Sequence, residues 1–431
     1  MTLNVFSVII IVALAVDYLL GSLADYLNLR ALSLEIPRSL GGIYKPDEYR
    51  RSQQYTRSAT RFGLVTSTFS LALVLCFWLI GGFAFVDHVV RAWALPAIPA
   101  GIVYIGILLG AYAVLTTPFG IYHTFVIEQR FGFNRTTPRL FILDRLKSLG
   151  LAIVLGVPLL AGILFLFQQA GQLAWLYAWA VVTAFSLVIQ YLAPAIILPL
   201  FNKFTPMPDG ELKTAIMDYA RTNNFPVSKL LVVDSSRRST RANAYFTGLG
   251  RNKRIALFDT LIQQHTTREL VGVLAHEIGH YKKRHVLEAT MISVAHSGLL
   301  FFLLSLFINS SGLFAAFGVT PSVYAGLIFF ALLYTPVELL LSIAMNVLSR
   351  RNENQADEFA ALTTDDPASL ADALKKLAAN NLSNLTPHPF YVFLTYSHPP
   401  LLERVEAIIS ARTRPSSNSG PQGKSGQELT R

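Results

Sequence analysis

His276-Glu277-Ile278-Gly279-His280 lies inside Arg268–Lys283, a proline-free stretch that reads as one helix. Positions four apart share a helix face, so His276 and His280 present two imidazoles to one Zn²⁺. Glu277 reaches the same centre from the side. Two neutral nitrogen ligands and a carboxylate base beside a metal-activated water are what a zinc hydrolase needs. Gly279 lets a backbone or a substrate approach the helix closely. A chance match is the competing reading, and the rest of the sequence weighs on it.

The surroundings are strongly apolar. Hydrophobic residues make up 52% of the 431 and charged residues 14%, against roughly 25% charged in soluble domains. Mean hydropathy is +0.45. A bilayer takes about 20 helical residues. Seven segments are long and apolar enough, near 4–22, 63–86, 99–121, 148–168, 173–200, 289–309 and 322–348. The first lacks a basic flank and a small-residue cleavage site and contains Asp17, so it reads as a retained anchor. Pro194 and Pro336 are expected to kink or break the fifth and seventh. Cys76 is the only cysteine and lies in an apolar run, which excludes a disulfide framework and a cysteine–zinc cluster.

Net charge is +10. The basic residues are spread over the connections between apolar segments, which argues against a nucleic-acid partner and for the positive-inside rule. Arg30, Arg38, Lys45, Arg50, Arg51, Arg57 and Arg61 follow the first segment. Arg130, Arg135, Arg139, Arg145 and Lys147 follow the third. The alternate loops hold Arg91 alone. The N-terminus is therefore expected outside, with the basic loops, the His-Glu motif and the C-terminus cytoplasmic. The helix of the motif is free to run straight into the sixth span.

Five regions are expected: membrane region 1–200, a polar segment 201–288, two further spans in 289–349, a helical region 350–412 and a disordered tail 413–431. Within the second, Leu230–Asp234, Asn243–Phe246 and Arg254–Phe258 read as short strands, with Gly248–Lys253 as a hairpin turn. A small sheet beside the motif helix would leave an edge strand that an extended peptide can join. The tail is rich in Pro, Ser, Gly and Gln.

A catalytic zinc needs a third protein ligand and an open position. Glu353 is the best candidate, and Asp357, four residues on, suits a carboxylate that orients a ligand imidazole. Spacing alone equally allows both to form a solvated face beside Arg350 and Arg351. Glu358 is expected to be exposed. His285 is a rival ligand, but five residues beyond His280 on a continuing helix it points about 100° away. It is expected at a surface or interface. His398, fixed between Ser397 and Pro399, either stabilises an oxyanion with Arg404 one turn beyond or caps the next helix. His296 and Glu338 fall inside spans, where ionisable groups face a polar interior.

Together these stretches resemble the CAAX prenyl protease 1 family, membrane-spanning zinc endopeptidases of the gluzincin group. The resemblance rests on Phe125–Asn134, Leu198–Phe204, Asn243–Phe246, Lys253–Thr260, His276–His280, Ser349–Ala360 and Tyr396–Arg404, in order along the chain. It implies a mainly α, polytopic membrane protein. About seven transmembrane helices would surround a water-filled chamber, with a cytoplasmic gluzincin-like zinc protease domain carrying a small β-sheet. It implies one Zn²⁺ per chain, held by His276, His280 and Glu353, with Glu277 as base. His398 and Arg404 would act in catalysis, Asp357 behind a ligand, and Asn243 and Ala244 on the substrate. The implied partners are the lipid bilayer and a peptide or protein substrate, in the family one prenylated at a C-terminal CAAX motif and losing its last three residues. Asn352 and Asn354 stand where the family usually has an aromatic. The short 310–321 loop and the lack of a retention signal suggest a compact bacterial relative in the inner membrane.

The expected reaction is peptide hydrolysis by a metal-activated water, with Glu277 passing the proton to the leaving amine. Two rivals stand beside it: a quality-control protease acting on non-prenylated membrane proteins, and a transporter or receptor with a vestigial zinc site. The intact Glu277 argues against the second.

Overall fold

Asn4 starts the first helix. Its side-chain oxygen accepts the Phe6 and Ser7 backbone N–H groups at 3.0 and 3.1 Å, and the helix runs Val5–Ala31. The computed structural model describes residues 2–33, 35–36, 44–247 and 253–411. Among them, six unbroken helices are long and apolar enough to cross a membrane: Val5–Ala31, Pro46–Leu79, Ala97–Glu128, Pro138–Gln169, Gly171–Leu192 and His285–Phe307. A seventh span is the pair Val323–Leu333 and Thr335–Thr363, bent by 53°. The bend falls at Tyr334, where Pro336 removes a backbone donor and clashes with the preceding turn. The Gly171–Leu192 helix likewise ends just before Pro194.

Apolar side chains such as Val65, Leu109, Val114, Leu149 and Val154 stay exposed on these helices. A lipid-facing surface demands this. Polar side chains also line cavities among the helices, beside apolar ones such as Leu14, Leu71 and Leu332. A cavity of about 620 Å³ is lined by Asp17, Tyr18, Ser22, Asp25 and Ser342 and reaches Thr395. His296 Nε2 lies 3.0 Å from Tyr334 Oη and 3.3 Å from Glu338 Oε2, and Glu338 lines a neighbouring cavity.

Two sequence expectations need correction here. The second span does not occupy 63–86. Its helix starts at Pro46 and stops at Leu79, because Gly81 takes φ +80° and a separate helix, Gly82–Ala92, follows. The 310–321 stretch is not a bare loop. It holds the helix Ser311–Phe317, tied back by Thr2 N–H to Ala315 O and Trp78 Nε1–H to Ala316 O, both 3.0 Å. Phe317 stacks on Trp78 and Phe329 at 4.3 and 3.8 Å, closing this end with aromatic rings.

The opposite end carries the basic connections and the sheet. Arg51 donates to Phe131 O at 2.6 Å, Lys147 to Leu200 O at 2.7 Å, and Arg238 pairs with Asp144 at 2.9 Å. The strands are β1 (Phe204–Pro206), β2 (Val227–Val233), β3 (Ala244–Thr247) and β4 (Lys253–Phe258), in the order β1-β2-β4-β3. β2 and β4 are parallel; β3 and β4 are antiparallel. β3 is an edge strand of the kind a small sheet was expected to leave. β1 escaped notice because three residues ending in proline carry no periodic signal. Leu230, Ile255 and Leu257 pack on Leu270, Leu274 and Ile278, which fixes the sheet to the motif helix. The expected turn at Gly248–Lys253 lies, up to Asn252, outside the described residues, as does the tail 413–431.

Candidate metal centre

The histidine helix, Thr267–Lys282, is started by a reciprocal cap between Thr266 and Glu269. It does not run into the sixth span, contrary to the expectation. Arg284 adopts φ 62°, ψ 26°, and a new helix begins at His285. The carboxylate helix, Thr335–Thr363, crosses it where Gly279 meets Ala356. A Cβ on Gly279 would stand 3.0 Å from Ala356 Cα and O. This close approach places Glu353 and Asp357 against the two histidines.

The convergence is tight. His276 Nε2 and His280 Nε2 are 3.1 Å apart. Glu353 Oε2 lies 3.4 Å from the first and Oε1 3.3 Å from the second. Ligands of tetrahedral zinc at about 2.0–2.1 Å are separated by about 3.3 Å, so the spacing is that of three corners of such a site. Glu353 Oε2 is buried and, beyond its ion-pair neighbours His276 and Arg404, has no hydrogen-bond partner among the described residues, so a cation would satisfy it. The donor set, two imidazoles and one carboxylate, suits zinc.

Behind this triangle lies a charged pair. Asp357 Oδ1 is 2.8 Å from His276 Nδ1. Arg404 grips both oxygens of Asp357, from Nε at 2.8 Å and Nη2 at 2.7 Å. Arg404 Nη2 also comes within 3.5 Å of Glu353 Oε2. Burial draws the His276 imidazole down, but Asp357 and Glu353 outweigh it and lift it to about 9 in the metal-free protein. Burial pushes the Glu277 carboxyl up, with the two imidazoles opposing. Glu358 is exposed, as expected.

His398 stands at the rim with its side chain 60% exposed and Nε2 3.4 Å from Glu353 Oε1. Even at the rim, partial desolvation by the surrounding protein draws its imidazole below the ordinary value, with Glu353 opposing. Ser397 Oγ is 2.9 Å from Nδ1; with the hydroxyl donating, the ring proton sits on Nε2, facing the centre. The loop before His398 is anchored by the carboxylate helix. Asn346 donates to Leu394 O at 2.9 Å, and Arg350 to Val392 O at 3.1 Å and to Tyr396 O. Sequence reading passed over Asn346 and offered Arg350 only as part of a solvated face. Their spacing of four, with Glu353 three further on, was the available signal.

Asn243 is exposed at the start of β3, its side-chain oxygen accepting Ala244 N–H at 2.8 Å and its carbonyl accepting Phe258 N–H at 3.1 Å. Asn243 and Ala244 are thus held by β4 on one side only. His285, expected at a surface or an interface, lies between the histidine helix and the carboxylate helix. It is buried at 6% exposure, with Nδ1 2.9 Å from His280 Nδ1. Among the described residues, His276, His280 and Glu353 are the one His/Cys/Asp/Glu grouping close enough to share a cation.

A membrane frame of up to seven spans with a His–His–Glu centre at one end defines an integral-membrane metallopeptidase. Residues 25–203 match the CAAX prenyl protease N-terminal family of five membrane helices, and residues 206–412 match peptidase family M48. The chain is 37% identical over 408 residues to the CAAX prenyl protease 1 homolog of Arabidopsis thaliana, covering 91% of this chain and 95% of that protein. It is 34% identical over 405 residues to the CAAX prenyl protease 1 of Saccharomyces cerevisiae, covering 87% and 88%. The crystal structure of S. mikatae Ste24p superimposes with a TM-score of 0.90 at 31% identity, covering 95% of this chain and all of that one. The chain belongs to the CAAX prenyl protease 1 family within peptidase family M48. It is a membrane metalloprotease, and membership implies a metal.

Proposed function

We propose that this protein removes the C-terminal tripeptide from prenylated CAAX proteins or peptides at a single zinc per chain. The observation that carries the proposal is the triangle of His276 Nε2, His280 Nε2 and the Glu353 carboxylate, with edges of 3.1–3.4 Å. His276, His280 and Glu353 would hold a zinc ion there, which would supply Lewis acidity for the scissile carbonyl and for an attacking water. Glu277 takes the water's proton and returns it to the leaving amine; burial lifts its carboxyl toward the basicity this needs. His398, with its proton on Nε2, donates to the oxyanion as negative charge develops. Arg404 serves that centre mainly by fixing Asp357, which holds His276 in one tautomer. Asn243 and Ala244 offer the free edge of β3 to an extended peptide.

In this reading 201–288 and 350–412 carry the chemistry, while 1–200 and 289–349 form the frame. The charge of the connections favours an N-terminus outside and a centre on the cytoplasmic side, and the short 310–321 connection favours a compact relative in a bacterial inner membrane. Mass spectrometry of products from a farnesylated CAAX peptide and from an unmodified membrane protein, each with and without a chelator, tests it. Chelator-sensitive release of the tripeptide is expected. Cleavage of the unmodified protein alone would replace this substrate assignment with membrane-protein quality control.

A further inference from the structure

His285 has no part in the mechanism above, yet it is buried against the centre. The left-handed Arg284 ends the histidine helix and turns the chain back. That turn brings His285 Nδ1 to 2.9 Å from His280 Nδ1. The other ring nitrogen, Nε2, lies 3.0 Å from Gln355 Oε1 on the carboxylate helix, two residues beyond Glu353.

Only one direction of hydrogen bonding along this chain leaves His280 able to bind a cation. Its Nε2 faces His276 and Glu353 and must be free of a proton. A neutral imidazole that offers Nε2 carries its proton on Nδ1. That N–H points at His285 Nδ1, which accepts. His285 then carries its own proton on Nε2 and donates it to Gln355 Oε1, an atom that only accepts. The reverse direction, with the Gln355 amide turned to donate, would put the His280 proton on Nε2, where it excludes a metal.

We infer that His285 is a positioning residue that accepts the Nδ1 proton of His280, fixes the tautomer with Nε2 open to the metal, and is itself held by Gln355. The inference rests on His276, His280 and Glu353 being the zinc site. The two imidazoles are then supported differently. His276 leans on the Asp357 carboxylate at 2.8 Å, His280 on a neutral ring. A neutral acceptor orients His280 without adding a second negative charge behind the centre.

The test is zinc affinity of the full-length protein in detergent, stripped of metal and titrated against a chromophoric chelator. His285→Ala is expected to weaken binding by about 10–100-fold, the cost of losing such an outer partner, while one zinc per chain still binds at saturation. His285→Gln, whose side-chain oxygen can accept the same proton, is expected to recover most of the loss. The visible bands of the cobalt-loaded protein should shift in His285→Ala and return in His285→Gln. Equal weakening in both variants overturns the inference, since a packing role then suffices. An affinity within about threefold of wild type in His285→Ala also overturns it. So does failure of that variant to bind zinc at saturation, which makes His285 a ligand. A parallel Glu353→Ala protein separates the two levels. If it keeps wild-type affinity, the zinc-site reading has failed and the inference falls with it; if it loses zinc while His285→Ala binds like wild type, the inference alone is overturned. If His285→Ala does not fold, the decision falls to His285→Gln: near-wild-type affinity and cobalt spectrum support the inference, and loss of both overturns it.

Discussion

Gly279 and Ala356 touch backbone to backbone, and that contact sets the distance between the two helices that build the centre. Any side chain at 279 would press a Cβ to 3.0 Å from Ala356 Cα and O. Backbone atoms of a packed helix yield little, and overpacking of this kind costs about 1–3 kcal/mol. Gly279→Ala is therefore expected to lower the thermal midpoint and, by moving Glu353 away from the imidazoles, to weaken zinc binding. Metal content after mild dialysis reads the second effect. Full retention of zinc with a lowered midpoint would show that the crossing sets stability without setting the site.

Glu277→Gln keeps the shape of the side chain and removes its capacity to take a proton. The variant is expected to fold and hold zinc like wild type while losing about 10²–10⁴-fold in turnover of a farnesylated peptide. A rate above a tenth of wild type would assign the base elsewhere.

The histidine pair was legible because HExxH on an uninterrupted helix is a local pattern, and the spans were legible because hydropathy is local too. The charged face of Ser349–Phe359 was legible from spacing only as one of two alternatives. Whether Glu353 and Asp357 meet His276 or meet water depends on the Gly279–Ala356 crossing, which joins residues far apart in sequence. The contact of His285 with His280 was missed for one reason, the assumption of a continuing helix past Lys283. A single left-handed residue, Arg284, reverses the conclusion, and nothing about an arginine there announces it. The loop of His398 depended on Asn346 and Arg350 gripping carbonyls over forty residues away, beyond the reach of periodicity.

His398→Ala is expected to leave zinc content unchanged and to lower kcat by about 10²–10³-fold, the cost of one oxyanion donor, with a smaller change in KM. The geometry behind this is the ring at the rim, 3.4 Å from Glu353 and with Nε2 directed inward. A change confined to KM would make His398 a substrate-binding residue, and loss of zinc would make it a ligand.

Zinc affinity should depend on pH through His276. In the metal-free protein Asp357 and Glu353 overcome burial and hold this imidazole at about 9, so the metal displaces a proton at any lower pH. Affinity is therefore expected to rise with pH, by about tenfold per unit for one proton, and to level off as pH approaches 9. Chelator competition between about pH 6 and 8.5 measures the slope, and calorimetry in buffers of different ionisation enthalpy counts the protons released. An affinity constant across this range would mean that His276 is already neutral when the metal arrives.

Topology can be tested independently of chemistry. The first and third connections carry seven and five Lys or Arg, and the structure gathers Arg51, Lys147 and Arg238 at the end that holds the centre. Arg91, at the other end, donates to Thr320 O. An asymmetry this large should set the orientation, with the N-terminus outside. In a Cys76→Ala background, single cysteines at the exposed positions Gln54 and Ala407 should be shielded from a membrane-impermeant thiol reagent in intact cells. One at Ser311, exposed at the start of the short helix that folds back onto Trp78, should be labelled. Labelling at Ala407 with Ser311 protected would invert the protein and put the His–His–Glu centre on the side away from a cytoplasmic substrate.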